Sequence, residues 1–493
     1  MAGSPGCNFA GQLAKRLGKR SYLIDAATGE TILPCDLPQL ISSFGASLLS
    51  AGLKAGDRIL IGCVLSPPSS IAYLGAMYAG LVPVPVEESV LISSLPELLK
   101  GTGARAVWTE KNSRVEGIAD TGVLALHGHP AEKRTGPMPP APCEESDLAV
   151  LVATSGSTGV PRFVMVSHRN LTANTEAIIR SQNLRKDERA MLILPLSYCF
   201  GASVLHTHLY QGGGVVFDRR FMFPDKVLYA IQKYECTTLA GVPTVYNILL
   251  RRSNLRSIPM PSLRRFLQAG GPLAPQRVAE MRAAVPTAKF YVMYGQTEAT
   301  ARISCLDPEH LDEKLGSAGR PLDNLTVRIV DEDERDSPTG HAGEIVVRGP
   351  SITLGYLDEP EESRRIFKDG WLRTGDLGHL DADGYIWIDG RKGTFLKMRG
   401  VRVSFAEVEA KVAAVPGVYE CAAAAVAHPE VGEALALYIV PDKQARKVVD
   451  QVRRSLPTYW TCESIDIVSE IPKTARGKLS RVSLPKKAIG NDG

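Results

Sequence analysis

Residues 151–170 read LVATSGSTGVPRFVMVSHRN and connect an apolar run to a loop of very small residues. The apolar run, residues 148–153, predicts a short buried strand. The loop after it holds hydroxyl-bearing residues and glycines, so its backbone can approach a ligand closely and point successive N–H groups at an anion. Arg162 adds a cation just beyond the loop. The pattern predicts a phosphate-holding loop, formed by Thr154, Ser155, Gly156, Ser157, Thr158 and Gly159.

The loop is not a Walker A loop, because no Gly-Lys-Ser/Thr follows at the required spacing. Taken alone, it is also compatible with an ordinary Ser/Gly turn. The longer string resembles the phosphate-loop signature of the acyl-adenylate-forming superfamily, which includes acyl-CoA synthetases, aryl-acid and amino-acid adenylation domains, and firefly luciferase. It departs from that signature at Arg162, where the family usually has Lys, and at Phe163, where it usually has Gly. Arginine keeps the charge but presents a planar fork instead of a compact ammonium.

Composition and charge set limits on the class of protein. The chain has 493 residues, enough for more than one domain. Its net charge of +4 and the absence of a Lys/Arg run argue against a nucleic-acid partner. The nine cysteines are scattered singly without a CxxC pair, which predicts neither a zinc site nor a disulfide framework. The N-terminus does not show a signal-peptide pattern, and the most apolar segment, residues 71–86, contains Pro83 and Pro85 and is too short for a membrane span, so a cytoplasmic location is expected.

Alternating helical and strand patterns predict an α/β fold with mainly parallel sheets in residues 1–389. Within this large N-terminal domain, residues 315–389 carry short β-type runs between Gly, Asp and Pro turns, which indicates a small antiparallel or β-barrel-like subdomain. Residues 390–493 are expected to form a smaller α+β C-terminal domain, and the family resemblance implies that this domain acts as a mobile lid. Residues 136–143 (GPMPPAPC) are expected to be an exposed connector.

The predicted helices and strands follow from apolar spacing and from the positions of glycine and proline. Helices are expected at residues 37–51, 69–79, 170–180, 405–414 and 443–456; strands are expected at residues 58–65, 81–86, 189–194, 214–217, 238–242, 266–269, 290–294, 326–330, 343–347, 385–388, 420–427 and 434–440.

The segment Tyr294-Gly295-Gln296-Thr297-Glu298 follows a predicted strand. A tyrosine can stack on a base, and a glutamate can help hold a Mg²⁺ that bridges phosphate oxygens. Alone, the segment is equally a strand-to-loop transition with a solvated glutamate. It matches the YGxTE motif of the family, and the resemblance implies that Tyr294 lies on adenine, Thr297 near the phosphates and Glu298 on the metal.

Two further segments match family motifs that surround the nucleotide. Gly270-Gly271-Pro272 is compatible with a tight turn, and by resemblance it lines the adenine and part of the acyl pocket. Trp371-Leu372-Arg373-Thr374-Gly375-Asp376 holds a carboxylate that can accept both ribose hydroxyls, although an Asp in a turn is common in any case. Its match to the RTGD motif makes Asp376 the expected ribose ligand.

Two cationic segments match the mobile part of the family. In Gly390-Arg391-Lys392-Gly393-Thr394-Phe395-Leu396-Lys397, the resemblance to the hinge motif GRxxxxxK places Arg391 on ribose or phosphate and Lys397 in the second half-reaction. Gly393 stands at the hinge, where the family usually has Asp or Lys. The loop from Pro472 to Lys478 resembles PxTxxGK, in which the final lysine reaches across the domain cleft. Charge runs of this kind are usually solvated surface when they stand alone.

The chemistry explains why a lysine is needed there. A carboxylate must attack a phosphorus that is already surrounded by negative oxygens, and a placed cation stabilises the charge of that transition state. Lys478 would do this without acid–base work. The resemblance therefore makes Lys478, Glu298, Thr158 and Lys397 the expected catalytic residues.

The acyl pocket is expected around Tyr198, Phe200, Gly201 and Ala202. Amino-acid-activating members of the family keep an Asp after the Phe to pair with the ammonium of the substrate, and this chain has Gly201 there. Because an α-amino group in a buried site needs a counter-charge, a standard α-amino acid is not expected. The pattern favours an acid with an uncharged tail, aryl or fatty.

Together, the ordered motifs predict an ATP- and Mg²⁺-dependent ligase that forms an acyl-adenylate, releases pyrophosphate and passes the acyl group to the thiol of coenzyme A or of the phosphopantetheine arm of an acyl carrier protein. Two alternatives remain open from the sequence. One is a nucleotide-binding regulator that has lost catalysis, suggested by the departures at Arg162 and Gly393. The other is a luciferase-like oxygenase, which shares the adenylation step.

Overall fold

A computed structural model of the chain describes residues 6–111, 122–130, 136–154, 162–391, 395–398, 401–428, 430–442, 445–473, 479 and 481–484. The α-helices are α1 (Phe9–Arg16), α2 (Leu37–Ser50), α3 (Pro67–Tyr78), α4 (Glu88–Ser93), α5 (Leu95–Thr102), α6 (His168–Ser181), α7 (Cys199–Tyr210), α8 (Pro224–Lys233), α9 (Pro243–Arg252), α10 (Pro275–Ala284), α11 (Pro360–Ile366), α12 (Phe405–Ala413) and α13 (Ala445–Ser455).

The strands are β1 (Leu23–Asp25), β2 (Thr31–Ile32), β3 (Arg58–Cys63), β4 (Val82–Glu87), β5 (Ala106–Thr109), β6 (Leu124–His127), β7 (Leu148–Thr154), β8 (Arg162–Ser167), β9 (Arg189–Leu192), β10 (Gly214–Phe217), β11 (Thr238–Gly241), β12 (Arg265–Gln268), β13 (Lys289–Tyr294), β14 (Ser304–Leu306), β15 (Arg320–Pro321), β16 (Thr326–Val330), β17 (Gly343–Arg348), β18 (Phe367–Lys368), β19 (Trp371–Leu380), β20 (Ile386–Arg391), β21 (Phe395–Met398), β22 (Val401–Ser404), β23 (Val418–His428), β24 (Gly432–Pro441) and β25 (Cys462–Ile467).

Two parallel sheets and a hairpin form the first part of the chain. The larger sheet has nine strands in the order β15-β14-β13-β12-β11-β9-β10-β1-β2, and its central run from β13 to β1 is parallel. The smaller sheet, β4-β3-β5-β6, is parallel throughout. β7 and β8 pair as an antiparallel hairpin that packs its apolar side chains, such as Leu151 and Phe163, into one buried cluster with the smaller sheet.

The predicted antiparallel region is a five-stranded sheet. Its order is β16-β17-β19-β18, with β20 paired to β19, and every ladder in it is antiparallel. A further sheet, β22-β21-β24-β23 with β25 beside β24, has its own buried cluster around Val408, Leu435 and Val452. The predicted fold class, large mainly parallel sheets followed by a smaller α+β unit, is confirmed by this architecture.

The predicted helices and strands of the sequence analysis all occur, with ends that shift by a few residues. Strand β4 keeps Pro83 and Pro85 because it is the edge strand of its sheet, where a missing N–H donor is tolerated. The connector at residues 136–143 is not exposed throughout, since Ala141 and Cys143 are buried. Strand β8 was not predicted, because its residues follow the loop without a turn signal of their own.

In the described residues, we find no helix that combines the length and the apolar character required to cross a bilayer. The strongly apolar helix α3 has 12 residues and is buried in the protein core instead. Its N-terminus is capped by Ser66, whose hydroxyl accepts a hydrogen bond from the N–H of Ser69, and Pro67 starts the helix where a missing N–H costs nothing.

His168 has a structural role at the start of α6. Its Nδ1 accepts a hydrogen bond of 3.1 Å from the N–H of Phe9, which anchors α1. The preceding Ser167 caps α6 by accepting from the N–H of Asn170. Burial lowers the pKa of His168 from 6.5 to about 4, so the imidazole is neutral in the folded protein.

This shift predicts a specific loss of stability in acid. The unfolded chain binds a proton at this residue below pH 6.5 and the folded chain does not until about pH 4, so stability falls across that interval. One such proton changes the free energy of unfolding by about 1.4 kcal/mol per pH unit. The variant His168→Asn keeps an acceptor for Phe9 but does not titrate. Urea unfolding of both proteins at a series of pH values should show a shallower slope for the variant; equal slopes would contradict the assignment.

Candidate active site

Several segments that hold predicted site residues follow the carboxyl ends of neighbouring parallel strands. β9, β11, β12 and β13 lie side by side and end before Tyr198, Pro243, Gly270 and Gly295, respectively. Ligands of open α/β sheets bind in the crevice outside this edge. The sheet order thus brings together segments that are far apart in the sequence.

The hydroxyl of Tyr294 donates a hydrogen bond of 2.6 Å to Oδ2 of Asp376. Tyr294 ends β13 in the parallel sheet, while Asp376 lies within β19 of the antiparallel sheet, in a strand rather than in a turn. Burial and then the Asp376 charge raise the pKa of Tyr294 well above its usual value, so the phenol stays protonated and donates. This contact joins the YGQTE and RTGD segments at one point.

Arg391 lies across the ladder from Asp376. The two residues are cross-strand partners in β19 and β20, and Nε of Arg391 is 3.8 Å from Oδ1 of Asp376. The Arg391 side chain is 66% exposed and that of Asp376 is 16% exposed, so both a cation and a carboxylate are accessible at this point of the surface. Such an exposed pair contributes little to stability but sets a local charge pattern for a polar ligand.

Glu298 is held in place by two residues of the loop before α11. Its Oε1 accepts a hydrogen bond of 2.8 Å from the hydroxyl of Tyr356, and its main-chain oxygen accepts from the N–H and the hydroxyl of Thr353, each at 3.0 Å. Oε2 of Glu298 has no hydrogen-bond partner among the described residues. The carboxylate is therefore fixed by one oxygen, and the other is available to a ligand.

A magnesium ion fits this donor chemistry. Mg²⁺ favours one or two carboxylates together with phosphate oxygens and water, and Glu298 supplies a single oriented carboxylate. Within the described ranges, no group of three or more His, Cys, Asp or Glu side chains forms an all-protein metal cage. The site thus suits a metal that arrives with phosphates.

Arg162 is already engaged by two carboxylates. Its Nε lies 3.0 Å from Glu359, its Nη1 lies 2.7 Å from Glu362, and its guanidinium carbon is 5.6 Å from the ring centroid of Tyr356. The cation after the phosphate loop is therefore neutralised by α11 and the residue before it. Because Tyr356 also holds Glu298, the two ends of this network are connected through one aromatic side chain.

The acyl-pocket segment lies at the start of α7. Tyr198 precedes the helix, and its ring meets that of Phe200 edge-on with centroids 6.3 Å apart. The Tyr198 hydroxyl lies against Gly270, where an added Cβ would sit 2.7 Å from it and where φ is +87°. Glycine is needed there for both reasons. Cys199 accepts a 3.6 Å hydrogen bond from the hydroxyl of Thr297, which links this segment to YGQTE.

Gly201 occupies a position that has no room for a side chain. A Cβ on Gly201 would lie 2.2 Å from the carbonyl oxygen of Pro195 and 2.8 Å from that of Leu194. The carboxylate that would pair with the ammonium group of an α-amino acid cannot be built at this residue without moving the backbone. Ala202, the next residue, is also buried.

Other predicted site residues fall into two groups. Gly271 and Pro272 continue the turn after β12, which the buried Gln268 fixes by donating 2.7 Å to the carbonyl of Gly271, and Gln296 precedes the 3₁₀ turn of Thr297–Ala299. Thr154 ends β7 opposite Arg162. The remaining ones lie outside the described residues: Ser155, Gly156, Ser157, Thr158, Gly159, Gly393 and Lys478, together with the side chain of Lys397, whose backbone belongs to β21.

Two site residues were missed from the sequence. Tyr356 sits in a Gly- and Pro-rich stretch that gave no signal of function, although it connects Glu298 with Arg162. Arg302 is buried beside the acyl segment with its guanidinium carbon 4.9 Å from the centroid of Phe200. A lone charged residue in the otherwise uncharged stretch 299–305 was the available clue.

Comparison with known proteins agrees with this geometry. The family model described as AMP-binding enzyme matches residues 14–357, and the model of the AMP-binding enzyme C-terminal domain matches residues 407–478. The chain is 31% identical over 463 residues to feruloyl-CoA synthase of Amycolatopsis sp, which covers 92% of this chain and 93% of that protein.

Two further matches extend over nearly the whole chain. The 4-coumarate--CoA ligase of Vanilla planifolia is 28% identical and covers 95% of this chain and 91% of its own length. The crystal structure of ATP bound MatB from Rhodopseudomonas palustris is 26% identical, with a TM-score of 0.88 and coverage of 96% of this chain and 97% of that one.

The close approach at Gly201 predicts a cost for adding even one methyl group. Gly201→Ala should lower the melting temperature, because overpacking against fixed backbone costs about 1–3 kcal/mol, which corresponds to a decrease of about 1–3 °C in a chain of this length. Gly136→Ala is the matched control, since no described atom lies within 4 Å of a Cβ at that position. Thermal unfolding of the two variants decides the matter: equal melting temperatures would show that α7 adjusts freely.

Proposed function

Because the chain belongs to the AMP-binding enzyme family, we propose that it is an AMP-forming acid–thiol ligase. It joins a carboxylic acid to ATP as an acyl-adenylate, releases pyrophosphate and then transfers the acyl group to a thiol. The family resemblance predicted from the sequence motifs is confirmed by the match over residues 14–357. The observation that supports the proposal most is the 2.6 Å hydrogen bond between Tyr294 and Asp376, because it brings two of the motifs, from different sheets, into contact.

The chain's own residues bind the nucleotide from several sides. The Asp376 carboxylate accepts the ribose hydroxyls through oxygens that the Tyr294 phenol orients. The Tyr294 ring and the turn from Gly270 to Pro272 take the adenine. The loop of residues 155–159 donates N–H groups to the phosphates, Thr297 lies near them, and Arg391 contacts ribose or phosphate from the opposite strand.

In the first half-reaction, a carboxylate oxygen of the acid attacks the α-phosphorus of ATP. The bond to the bridging oxygen of pyrophosphate breaks, and pyrophosphate leaves with the electron pair. Both reactants are anions, so the ammonium of Lys478 and donors such as Thr158 stabilise the charge that builds up. Glu298 would hold a Mg²⁺, which supplies further neutralisation of phosphate charge when it is bound.

In the second half-reaction, the thiol sulfur attacks the acyl carbon of the adenylate. AMP leaves with the electron pair, the thiol proton passes to solvent, and a thioester forms. The smaller C-terminal domain, residues 390–493, turns about Gly393 and exchanges the face with Lys478 for the face with Lys397. The names of two relatives that match nearly the whole chain include coenzyme A, which supplies such a thiol. The phosphopantetheine arm of an acyl carrier protein presents the same group.

An aryl or fatty acid fits the acyl segment. Two relatives that match nearly the whole chain are named for feruloyl and 4-coumarate groups, which both derive from aryl acids. Gly201 argues against standard α-amino acids, because a side chain at this position would meet the carbonyl of Pro195. The aromatic rings of Tyr198 and Phe200 provide an apolar wall for such a substrate.

Exchange of labelled pyrophosphate into ATP over a panel of acids tests the first half-reaction. We expect exchange with at least one acid, and Lys478→Ala should slow it about 100-fold, the loss typical of one transition-state donor. Lys397→Ala should leave exchange intact and lower thioester formation, followed by intact mass. No exchange with any acid by a protein that binds ATP would reject the proposal, and equal effects of the two lysines would reject the division of roles.

The Tyr294–Asp376 contact predicts separate contributions from a ring and a hydroxyl. Tyr294→Phe keeps the ring but removes a hydrogen bond to a charged group, worth about 1.5–3 kcal/mol, so ATP should bind roughly 10-fold more weakly. Tyr291→Phe, in the same strand, is the matched control because its hydroxyl bonds only weakly, at 3.4 Å, to a main-chain oxygen. Calorimetric titration with ATP compares them, and the same affinity in both variants would contradict an orienting role for the phenol.

A further inference from the structure

Arg302 is a buried cation in a fixed position. Only 2% of its surface is exposed. Its backbone is held from both sides by Asn174, whose Oδ1 accepts from the Arg302 N–H at 3.2 Å and whose Nδ2 donates to the Arg302 carbonyl at 2.9 Å. These two hydrogen bonds fix the backbone of Arg302 and therefore the point from which its side chain extends into the interior.

No carboxylate neutralises this cation among the described residues. The other buried arginine in that part of the chain, Arg265, lies 2.6 Å from Oε1 of Glu188. Arg302 makes no ion pair there, and its Nε is buried without a hydrogen-bond partner. Burial lowers the pKa of its guanidinium. An uncompensated buried charge is unfavourable, so such a group is normally paired or used.

The guanidinium faces the acyl segment. Its carbon stands 4.9 Å from the ring centroid of Phe200, and Cys305, Cys199 and Tyr198 are the titratable groups that interact with it electrostatically. The aromatic face offsets a part of the missing counter-charge. Burial raises the pKa of the Cys305 thiol to about 12, so this neighbour does not supply a negative charge at neutral pH. No carboxylate is among the groups that interact with Arg302, so the side of the acyl segment that it occupies is electropositive.

We propose that Arg302 is the counter-ion of a second acidic group in the substrate, so that the preferred acid carries a carboxylate or a sulfonate in addition to the carboxylate that is activated. This inference rests on the proposed ligase function. It differs from the uncharged tail expected from the sequence, because that expectation considered the position of Gly201 and not the cation beside Phe200.

The chemistry of arginine favours an anion over a neutral polar group. A guanidinium offers a planar fork of donors that matches two oxygens of a carboxylate or sulfonate. An anion also supplies the charge that the interior lacks, whereas a neutral acceptor leaves the cation uncompensated. The second acidic group takes no part in bond making: it stays paired with Arg302 while the other carboxylate attacks the α-phosphorus.

Matched acids test the proposal directly. The panel contains benzoates that carry a methyl, a carboxylate or a sulfonate at the same ring position, and butanoate beside succinate and 3-sulfopropanoate. Pyrophosphate exchange gives kcat/KM for each acid. We expect at least one acid with a second acidic group to exceed its methyl partner by about 10- to 100-fold, the value of a charge-assisted hydrogen bond. The carboxylate and sulfonate members show which of the two anions fits.

Variants then assign the preference to this side chain. Arg302→Leu should abolish the preference while it retains exchange with the methyl acids, and Arg302→Lys should restore a part of it. Arg328→Leu, which removes an arginine from the surface pair with Asp336, should leave both activities unchanged. The melting temperature of Arg302→Leu should not fall, because the substitution removes an unpaired buried charge.

Each other outcome overturns the inference in a distinct way. Wild-type protein that exchanges only with neutral-tailed acids overturns it and leaves the ligase function intact. An equal loss for charged and methyl acids in Arg302→Leu assigns Arg302 a structural role and also overturns it. No exchange with any acid overturns the ligase function itself. If Arg302→Leu does not fold, the panel with wild-type protein still decides.

Discussion

The hydrogen bond from Tyr294 to Asp376 is the contact on which the site depends. Each residue belongs to a different sheet, so the bond fixes the carboxyl edge of the parallel sheet against a strand of the antiparallel sheet. A carboxylate that accepts a hydrogen bond from a buried phenol keeps its direction. A binding group set by rigid strands is positioned more accurately than one on a loop, which is what a nucleotide that must present one phosphorus to an attacking acid requires.

Around Arg162, by contrast, a cation and two carboxylates neutralise one another. Arg162 is paired with Glu359 and Glu362, and Tyr356 lies between this cluster and Glu298. A guanidinium shared by two carboxylates carries little net field, so it holds α11 against the hairpin β7–β8 more than it attracts phosphate. Arginine suits this position because separate nitrogens of its planar fork, Nε and Nη1, engage Glu359 and Glu362.

Apolar spacing and the positions of glycine and proline located many of the helices and strands, such as α2, α6 and β13, but not others, such as α7, α10 and β8. The prolines of β4 are compatible only with an edge strand. Whether β4 lies at the edge depends on its pairing with β3, which is a non-local contact. The same limit applies to the site. The motifs identified Tyr294 and Asp376 separately, but their contact depends on how two sheets meet. Tyr356 and Arg302 were missed because their function arises from packing against residues distant in sequence.

In the acyl segment, the lack of room for a carboxylate at Gly201 and the positive charge of Arg302 both disfavour an ammonium group in the substrate. At Gly201, a carboxylate that would attract an ammonium group is excluded by the carbonyl of Pro195. Beside Phe200, with its guanidinium carbon 4.9 Å from the ring centroid, Arg302 places a positive charge that repels such a group. Specificity often needs a repulsive element in addition to an attractive one. Among the described residues no carboxylate pairs with Arg302, so this cation discriminates against amino acids by charge. The same cation lowers the cost of burying an anion, so rejection and selection follow from a single side chain.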